Sequence, residues 1–221
     1  MRVPDAAAAG RPDTIEDFLA RAERLLNRHP PGLGGPFANP RGDHSLDPAG
    51  LAHVPGAPHR LAAVLVPVVA GPEGLSLLFT TRAAHLRDHS GQIAFPGGKI
   101  EPGDATPADT ALREAEEEVG LNIGEVSPLG YLDPYLSATG FLVTPVVGLV
   151  STGARVAPNP AEVADVFEVP LAWLMDPLRF AVHSREWKGR MRYFYAIPFG
   201  ERLIWGVTAG IVHNLYERLY R

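Results

Sequence analysis

Residues 79–121 read FTTRAAHLRDHSGQIAFPGGKIEPGDATPADTALREAEEEVGL, and this stretch ends in a segment with clear helix signals at both ends. Thr106 is a favourable N-cap, Pro107 suits the first helical position, and Asp109 stands where a capping-box acid reaches back. Gly120 is the residue expected in the left-handed conformation just past a helix end. These signals predict a helix between Pro107 and Gly120.

The last turn of this helix carries glutamates where local electrostatics disfavours them. Glu116, Glu117 and Glu118 lie at the electronegative helix end, which costs roughly a few tenths of a kcal/mol for each acid. Glu114 and Glu118 form a like-charged i,i+4 pair, which costs roughly 0.2–0.5 kcal/mol. A bound divalent cation would reverse the sign of both effects, so the pattern indicates a metal site.

A helical wheel separates a core face from an acidic strip. At about 100° per residue, one arc contains the apolar residues Ala108, Ala111, Leu112, Ala115 and Val119. Glu114, Glu117 and Glu118 fall in a second arc about 120° away, whereas Glu116 lies elsewhere. Arg113 precedes Glu117 by four residues, so we expect it to tie down one glutamate while the others face a metal.

A glycine turn precedes the helix in the sequence Phe95-Pro96-Gly97-Gly98. Two adjacent glycines allow the backbone to approach a ligand closely. An acidic strip alone is typical of a solvated face, but its combination with this turn favours a ligand site. An all-carboxylate site prefers hard cations, so we expect Mg²⁺ or Mn²⁺ rather than Zn²⁺.

Together these residues resemble the Nudix hydrolases, whose signature is G-x5-E-x7-R-E-U-x-E-E-x-G-U with U aliphatic. Residues 113–121 fit the second half of this signature at every fixed position. The first half departs, because six residues after Gly98 stands Asp104 instead of glutamate, and Arg113 comes one residue late. By resemblance, the position of Asp104 supports the loop and is not a metal ligand.

The preceding residues resemble one branch of the family, the coenzyme A pyrophosphatases. That branch carries L-T-x-R-x3-L-x-x-H-x-G-Q-x-x-F-P-G-G before the signature. The matching residues here are Leu78, Thr80, Arg82, Leu86, His89, Gly91, Gln92, Phe95, Pro96, Gly97 and Gly98. Segments 140–147, 159–171 and 204–210 also look similar to the family, so the resemblance covers about residues 58–215.

The resemblance implies roles for particular residues. Catalytic roles fall to Glu114, Glu117 and Arg113, and metal binding falls to Glu114, Glu117 and Glu118. The residues expected to bind substrate are Arg82, His89, Gly97, Gly98 and Lys99. The implied reaction is hydrolysis of the diphosphate of coenzyme A or its derivatives, giving 4′-phosphopantetheine and 3′,5′-ADP.

Two other readings stay open: a Nudix hydrolase of another nucleoside diphosphate derivative, such as NADH or ADP-ribose, and a non-catalytic Nudix-fold binding module. Glu162 is left open as an additional base or ligand. His85 and His183 match no motif and are interpreted as surface residues. The aromatic run at 193–195 is interpreted as strand core, not as an adenine-stacking surface, and Trp205 is expected to pack.

Composition sets limits on the class of protein. The 221 residues suffice for a domain with a sizeable core, and the net charge of −5 argues against nucleic-acid or anionic-membrane partners. The absence of cysteine excludes disulfides and thiolate sites. The N-terminus lacks a signal-peptide core, and the longest apolar run, 61–70, is far short of the ~18–20 residues that span a bilayer. We therefore expect a cytoplasmic protein with a small-molecule substrate, and leave a homodimer open.

The hydrophobic pattern predicts an α/β fold with a mixed sheet sandwiched between helices, which the resemblance identifies as the Nudix fold. Predicted helices, besides the acidic one, cover 14–28 and 206–221. Predicted strands cover 61–69, 75–81, 126–131, 143–150, 164–169, 180–183 and 192–197, with a turn at Lys188-Gly189 joining the last two. We divide the chain into an N-terminal helix and irregular extension, 1–57, and a Nudix hydrolase domain with the C-terminal helix, 58–221.

Overall fold

The computed structural model describes residues 14–30, 41–48, 58–86, 91–187 and 189–221. The strands of the central sheet are β1 Arg60–Gly71, β2 Gly74–Arg82, β3 Ile93–Ala94, β4 Gly97–Lys99, β5 Val126–Tyr131, β6 Tyr135–Leu136, β7 Phe141–Val150 and β8 Val163–Pro170. A second sheet contains β9 Ala181–Trp187, β10 Arg190–Phe199 and β11 Arg202–Trp205. The helices are α1 Ile15–Leu25, α2 Pro107–Val119, α3 Leu171–Leu174 and α4 Val207–Leu219.

The central sheet is mixed. Its main path runs β3-β2-β1-β7-β5, while β4 pairs with β1, β6 with β7, and β8 with β2. β1 and β7 are parallel, and the other paired strands of this sheet are antiparallel. The smaller sheet is antiparallel in the order β11-β10-β9.

The alternation of side chains along β1 builds a core on each face of the central sheet. Ala63 and Leu65 pack in the core that contains the apolar face of α2. Ala62 and Val66 point the other way, into the core that contains residues of α1 and α4. The sheet therefore lies between α2 on one face and α1 with α4 on the other, which confirms the predicted fold class.

The predicted strands of both sheets are all present, with ends that differ by a few residues. The helix predicted over 14–28 ends earlier, at Leu25. The reason is tertiary, because Asn27 and Tyr131 exchange backbone hydrogen bonds of 3.0 and 2.9 Å, which requires an extended chain at Asn27. The segment 29–57, predicted to be irregular, falls largely outside the described residues, and within it Asp43–Leu46 forms a short 3₁₀ helix.

Polar contacts attach the described N-terminal residues to the rest of the protein. Arg41 forms ion pairs with Glu217 of α4 and, at 3.2 Å, with Asp133. The hydroxyl of Tyr135 donates to the carboxylate of Asp43 at 2.7 Å. The domain boundary at residue 57 stays a prediction. None of the described helices has the length and apolar character needed to cross a lipid bilayer.

Candidate active site

Helix α2 is fixed at both ends by its own sequence. The backbone amide of Asp109 donates to the hydroxyl of Thr106 at 3.3 Å, and the Thr106 amide donates back to the Asp109 carboxylate at 2.8 Å. Gly120 closes the helix in the left-handed region with φ 66°. Ala111, Ala115, Val119 and their apolar neighbours are packed against the sheet. This packing sets the rotation of the helix and hence the direction of its glutamates.

Glu118 lies under the glycine turn that precedes α2. Its side chain is only 5% exposed. One carboxylate oxygen accepts a hydrogen bond from the Gly97 amide at 3.2 Å, and the other lies 3.5 Å from Nη1 of Arg82. Gly97 and Arg82 both belong to the segment predicted to bind substrate, so the structure brings that segment and the acidic helix together.

Glu114 lies beside the second glycine of the turn. Its side chain is 15% exposed, and a Cβ atom placed on Gly98 would lie less than 3.0 Å from three atoms of the Glu114 carboxyl group. Real Cβ atoms do not approach other atoms so closely. A side chain larger than glycine at this position would therefore displace the Glu114 carboxylate.

Arg113 binds more partners than the sequence suggested. Its Nη1 donates to Glu114 and to Glu117, each at 3.1 Å, while its Nε and Nη2 donate to Asp104, both at 3.2 Å. Nη2 also donates to the carbonyl of Lys99 at 3.3 Å. The expectation that Arg113 ties down a single glutamate is therefore wrong, because its planar guanidinium reaches two glutamates at once.

Asp104 joins the loop after β4 to α2. Besides Arg113, it accepts hydrogen bonds from the Glu101 amide at 2.9 Å and the Thr110 hydroxyl at 2.8 Å. The hydrogen bonds from Arg113 are the main reason why the pKa of Asp104 falls to about 2, so this carboxylate stays charged at neutral pH. These contacts are those of a residue that supports the loop.

Glu162 lies on a turn that is attached to the C-terminal end of α2. The amide of Asn159 donates to the carbonyl of Glu118 at 2.9 Å, and the amide of Ala83 donates to the carbonyl of Glu162 at 2.8 Å. The charge of Glu162 contributes to raising the pKa of both Glu114 and Glu118. The turn thus places Glu162, a further acid, near the acidic strip. The role of Glu162 as a base or a ligand stays open from the sequence alone.

The electrostatics of the strip favours a cation. Burial is the main reason why the pKa of Glu118 rises to about 7; the Gly97 amide and Arg82 act to lower this pKa, and the charges of Glu114 and Glu162 act to raise it. Burial also raises the pKa of Glu114, against the opposing effect of Arg113. Buried carboxylates with raised pKa values are short of positive charge, which a hard divalent cation would supply.

The donor chemistry therefore suits Mg²⁺ or Mn²⁺. Within the described ranges, however, no group of three or more histidine, aspartate or glutamate side chains is already arranged to hold a metal ion. The carboxylates there are held by protein donors, namely the Gly97 amide, Arg82 and Arg113. Binding of an ion by Glu114 and Glu118 would require these side chains to turn away from part of this network.

The remaining predicted residues are less closely engaged. Lys99 is exposed, and its backbone carbonyl is the part that contacts Arg113. Glu117 is 56% exposed, and Glu116 is exposed, as the wheel predicted. His89 lies outside the described residues, as does Lys188 of the predicted hairpin turn.

His85 is exposed, as the sequence predicts, and its ring nitrogen Nε2 contacts the carbonyl of Ala161 at 3.0 Å. No motif marked it, because this contact joins segments 76 residues apart. His183 is exposed on β9, and Trp205 is half-buried with its ring centroid 5.3 Å from that of Phe194. The aromatic run 193–195 is half-buried in β10.

Arg82→Lys tests what the guanidinium of Arg82 contacts. The Arg82 side chain is 29% exposed, so part of it can reach a substrate phosphate, while within the described residues its Nε is buried and makes no hydrogen bond. Lysine keeps the charge but loses the planar fork. We expect KM to rise about 10-fold, a loss of roughly 1.4 kcal/mol in binding, with a smaller fall in kcat.

Thermal melting of Arg82→Ala provides the control for this experiment. An arginine that serves only as the partner of Glu118 would, when removed, lower the melting temperature by several degrees and leave KM unchanged in the residual activity. That result would make Arg82 a structural residue.

Comparisons with known proteins identify the family to which this chain is similar. The NUDIX domain family matches residues 58–190. The uncharacterized Nudix hydrolase NudL of Photorhabdus laumondii is 44% identical over 73% of this chain and 86% of its own length. The NudL protein of Yersinia pestis strain Pestoides F is 42% identical over 76% of this chain and 84% of its own length.

The α/β/α sandwich, with its carboxylate-bearing helix after a glycine turn, agrees with the match to the NUDIX domain. The chain belongs to the Nudix hydrolase family. Its members generally use divalent metal ions and act on small molecules. Among solved structures, the Nudix hydrolase RenU from M. smegmatis is similar in part, with a TM-score of 0.45 and 24% identity over 53% of this chain and 74% of that chain.

Proposed function

We propose that this Nudix hydrolase splits the diphosphate linkage of coenzyme A or a coenzyme A derivative, with Mg²⁺ or Mn²⁺ as cofactor. One observation carries the proposal: the segment 78–98, which resembles the coenzyme A pyrophosphatases, supplies the residues that touch the acidic strip. Arg82 and Gly97 contact Glu118, and Gly98 faces Glu114. These contacts support the proposal that the segment and the carboxylates of α2 act on the same substrate.

The acidic strip would hold the divalent cation through Glu114 and Glu118, with Glu117 beside them. When bound, the ion neutralises charge on the diphosphate and lowers the pKa of a water molecule. Arg113 keeps Glu114 and Glu117 in place through its hydrogen bonds to both.

Hydrolysis begins when the oxygen of a water molecule attacks one phosphorus of the diphosphate. The bond from that phosphorus to the bridging oxygen breaks, and the bridging oxygen leaves with the other phosphate. Glu117 or Glu162 accepts the proton of the water. Arg82 and Lys99 offer positive charge to the phosphate groups on the side of the glycine turn. The products from coenzyme A are 4′-phosphopantetheine and 3′,5′-ADP.

A substrate panel with product identification tests this assignment. The purified protein is incubated with coenzyme A, acetyl-coenzyme A, NADH and ADP-ribose, separately with Mg²⁺ and Mn²⁺, and the products are identified by mass spectrometry. We expect the coenzyme A compounds to be cleaved with at least about a 10-fold preference in kcat/KM. Glu118→Gln is the matched control for contaminating activity. Cleavage of ADP-ribose or NADH while coenzyme A stays intact would show that the branch assignment is wrong.

A further inference from the structure

Two loops meet at Glu162. The segment after β2 approaches the turn that precedes β8, and two hydrogen bonds join them. The amide of Ala83 donates to the carbonyl of Glu162 at 2.8 Å. The ring nitrogen Nε2 of His85 lies 3.0 Å from the carbonyl of Ala161 and, because a carbonyl oxygen only accepts, Nε2 is the donor.

These bonds fix the backbone on both sides of the Glu162 Cα atom. The Ala161 carbonyl belongs to the peptide plane before Glu162, and the Glu162 carbonyl belongs to the plane after it. The Glu162 amide donates in addition to the carbonyl of Asn159 at 3.0 Å. When both flanking peptide planes are held, the two soft dihedrals of the residue are set, and so is the direction of its Cα–Cβ bond, from which the side chain starts.

His85 supplies the side-chain donor in this arrangement. The bonds from the amides of Ala83, Asn159 and Glu162 run between backbone groups, and the side chain of Asn159 adds an acceptor, since its Oδ1 receives the Ala161 amide at 3.1 Å. The contact from His85 is lost on truncation. His85 is also exposed and therefore contributes little to the hydrophobic core. Its removal can change the orientation of Glu162 without unfolding the protein.

We propose that His85 is a positioning residue that directs the carboxylate of Glu162 toward Glu114 and Glu118, and that Glu162 thereby adds to the charge of the cation site. The proposal rests on the proposed function only in its metal dependence and not in the identity of the substrate. The turn carrying Glu162 is bound to the same helix end as Glu118, through the 2.9 Å bond from the Asn159 amide to the Glu118 carbonyl. The effect of Glu162 on the pKa values of Glu114 and Glu118 supports the same proximity.

Glutamine tests the chemistry of this contact. Nε2 carries a proton both in imidazolium and in the Nε2–H tautomer, so the bond to Ala161 needs a donor and not a charge. The amide nitrogen of glutamine lies at a similar distance along the side chain and also donates. His85→Gln should therefore preserve the hydrogen bond to Ala161 that His85→Ala removes. A role based on the charge of histidine would be lost in both variants.

The experiment measures the affinity of the full chain for Mn²⁺ alone by titration calorimetry, and kcat in parallel. We expect His85→Ala to weaken Mn²⁺ binding and lower kcat about 10-fold, as is typical for residues that orient metal-site groups. His85→Gln should stay within about 2-fold of the unchanged protein. His183→Ala, which removes an exposed histidine from β9, is the matched control and should change neither quantity. Melting temperatures should be nearly equal among the three variants.

A double-mutant cycle with Glu162→Gln decides whether His85 acts through Glu162. If it does, His85→Ala should cause no further loss once Glu162 is neutralised. The proposal would be overturned if the losses of Mn²⁺ affinity in the two single variants multiplied in the double variant. An unchanged Mn²⁺ affinity in His85→Ala would overturn it as well. The Mn²⁺ titration contains no substrate. Failure to cleave coenzyme A would therefore refute the substrate assignment alone, while equal Mn²⁺ affinities would refute the role of His85 alone.

Discussion

Glu118→Gln and Glu114→Gln should each lower kcat by at least about 100-fold, because each removes a full negative charge from the acidic strip. Glu116→Gln, one of three glutamates in the same helical turn, should leave kcat nearly unchanged, because Glu116 is exposed and points away from the strip. Steady-state kinetics at saturating Mg²⁺ measures the difference. A Glu116→Gln enzyme as inactive as the other two would show that the wheel assignment is wrong.

The same substitution at Glu118 should stabilise the protein when metal is removed. Burial raises the folded-state pKa of Glu118 to about 7 from an ordinary 4.5. The charged carboxylate therefore destabilises the fold in full above pH 7, and this penalty disappears as the pH falls from 7 toward 4.5. In the presence of a chelator at pH 8, Glu118→Gln should increase the free energy of unfolding by about 1–3 kcal/mol.

Thermal melting measured between pH 4.5 and pH 8 tests whether the charged Glu118 carboxylate destabilises the fold. The advantage of Glu118→Gln over the unchanged protein should shrink toward zero at the acidic end, where both side chains are neutral. Glu116→Gln serves as the control, since an exposed glutamate should show no comparable dependence on pH. A Glu118→Gln protein that melts lower than the unchanged protein at pH 8 would mean that the hydrogen bonds of the carboxylate outweigh its burial.

Helix α2 was predictable because its determinants are local. The Thr106–Asp109 capping box, Pro107 and Gly120 all act within a few residues of the helix ends, and the structure confirms each of them. The end of α1 was not predictable in this way. Its helix signals continue to residue 28, but the pairing of Asn27 with Tyr131 joins residues more than a hundred positions apart. Long-range pairing overrides a helix tendency that is worth only a few tenths of a kcal/mol per residue.

The helical wheel predicted the direction of the acids but not their burial. Glu117 and Glu118 fall in one arc, yet their side chains are 56% and 5% exposed. The difference arises because the glycine turn covers Glu118 through the Gly97 amide, while Glu117 lies beyond the turn and contacts Arg113. Which part of an acidic strip becomes buried depends on a loop whose path is a tertiary property.

Gly98→Ala should abolish most of the activity while leaving the fold intact. The new methyl group would occupy the space of the Glu114 carboxyl group, so that side chain must move away from its position beside Glu118. The backbone at Gly98 lies outside the left-handed region, so alanine introduces no conformational strain of its own. We expect kcat to fall about 100-fold, similar to the effect of Glu114→Gln, because both changes remove the same carboxylate from the site.

Gly103→Ala is the matched control for this substitution. Gly103 lies in the same connection between β4 and α2, its backbone is also outside the left-handed region, and a Cβ atom there meets no atom within 4 Å. It should therefore keep full activity. Combining Gly98→Ala with Glu114→Gln should lower kcat no more than either change alone. Glutamine is already neutral, so its displacement removes no further charge from the site. If Gly98→Ala were as active as Gly103→Ala, the carboxylate of Glu114 would not need to lie where the structure places it, and the cation would have to be held by other acids of the strip.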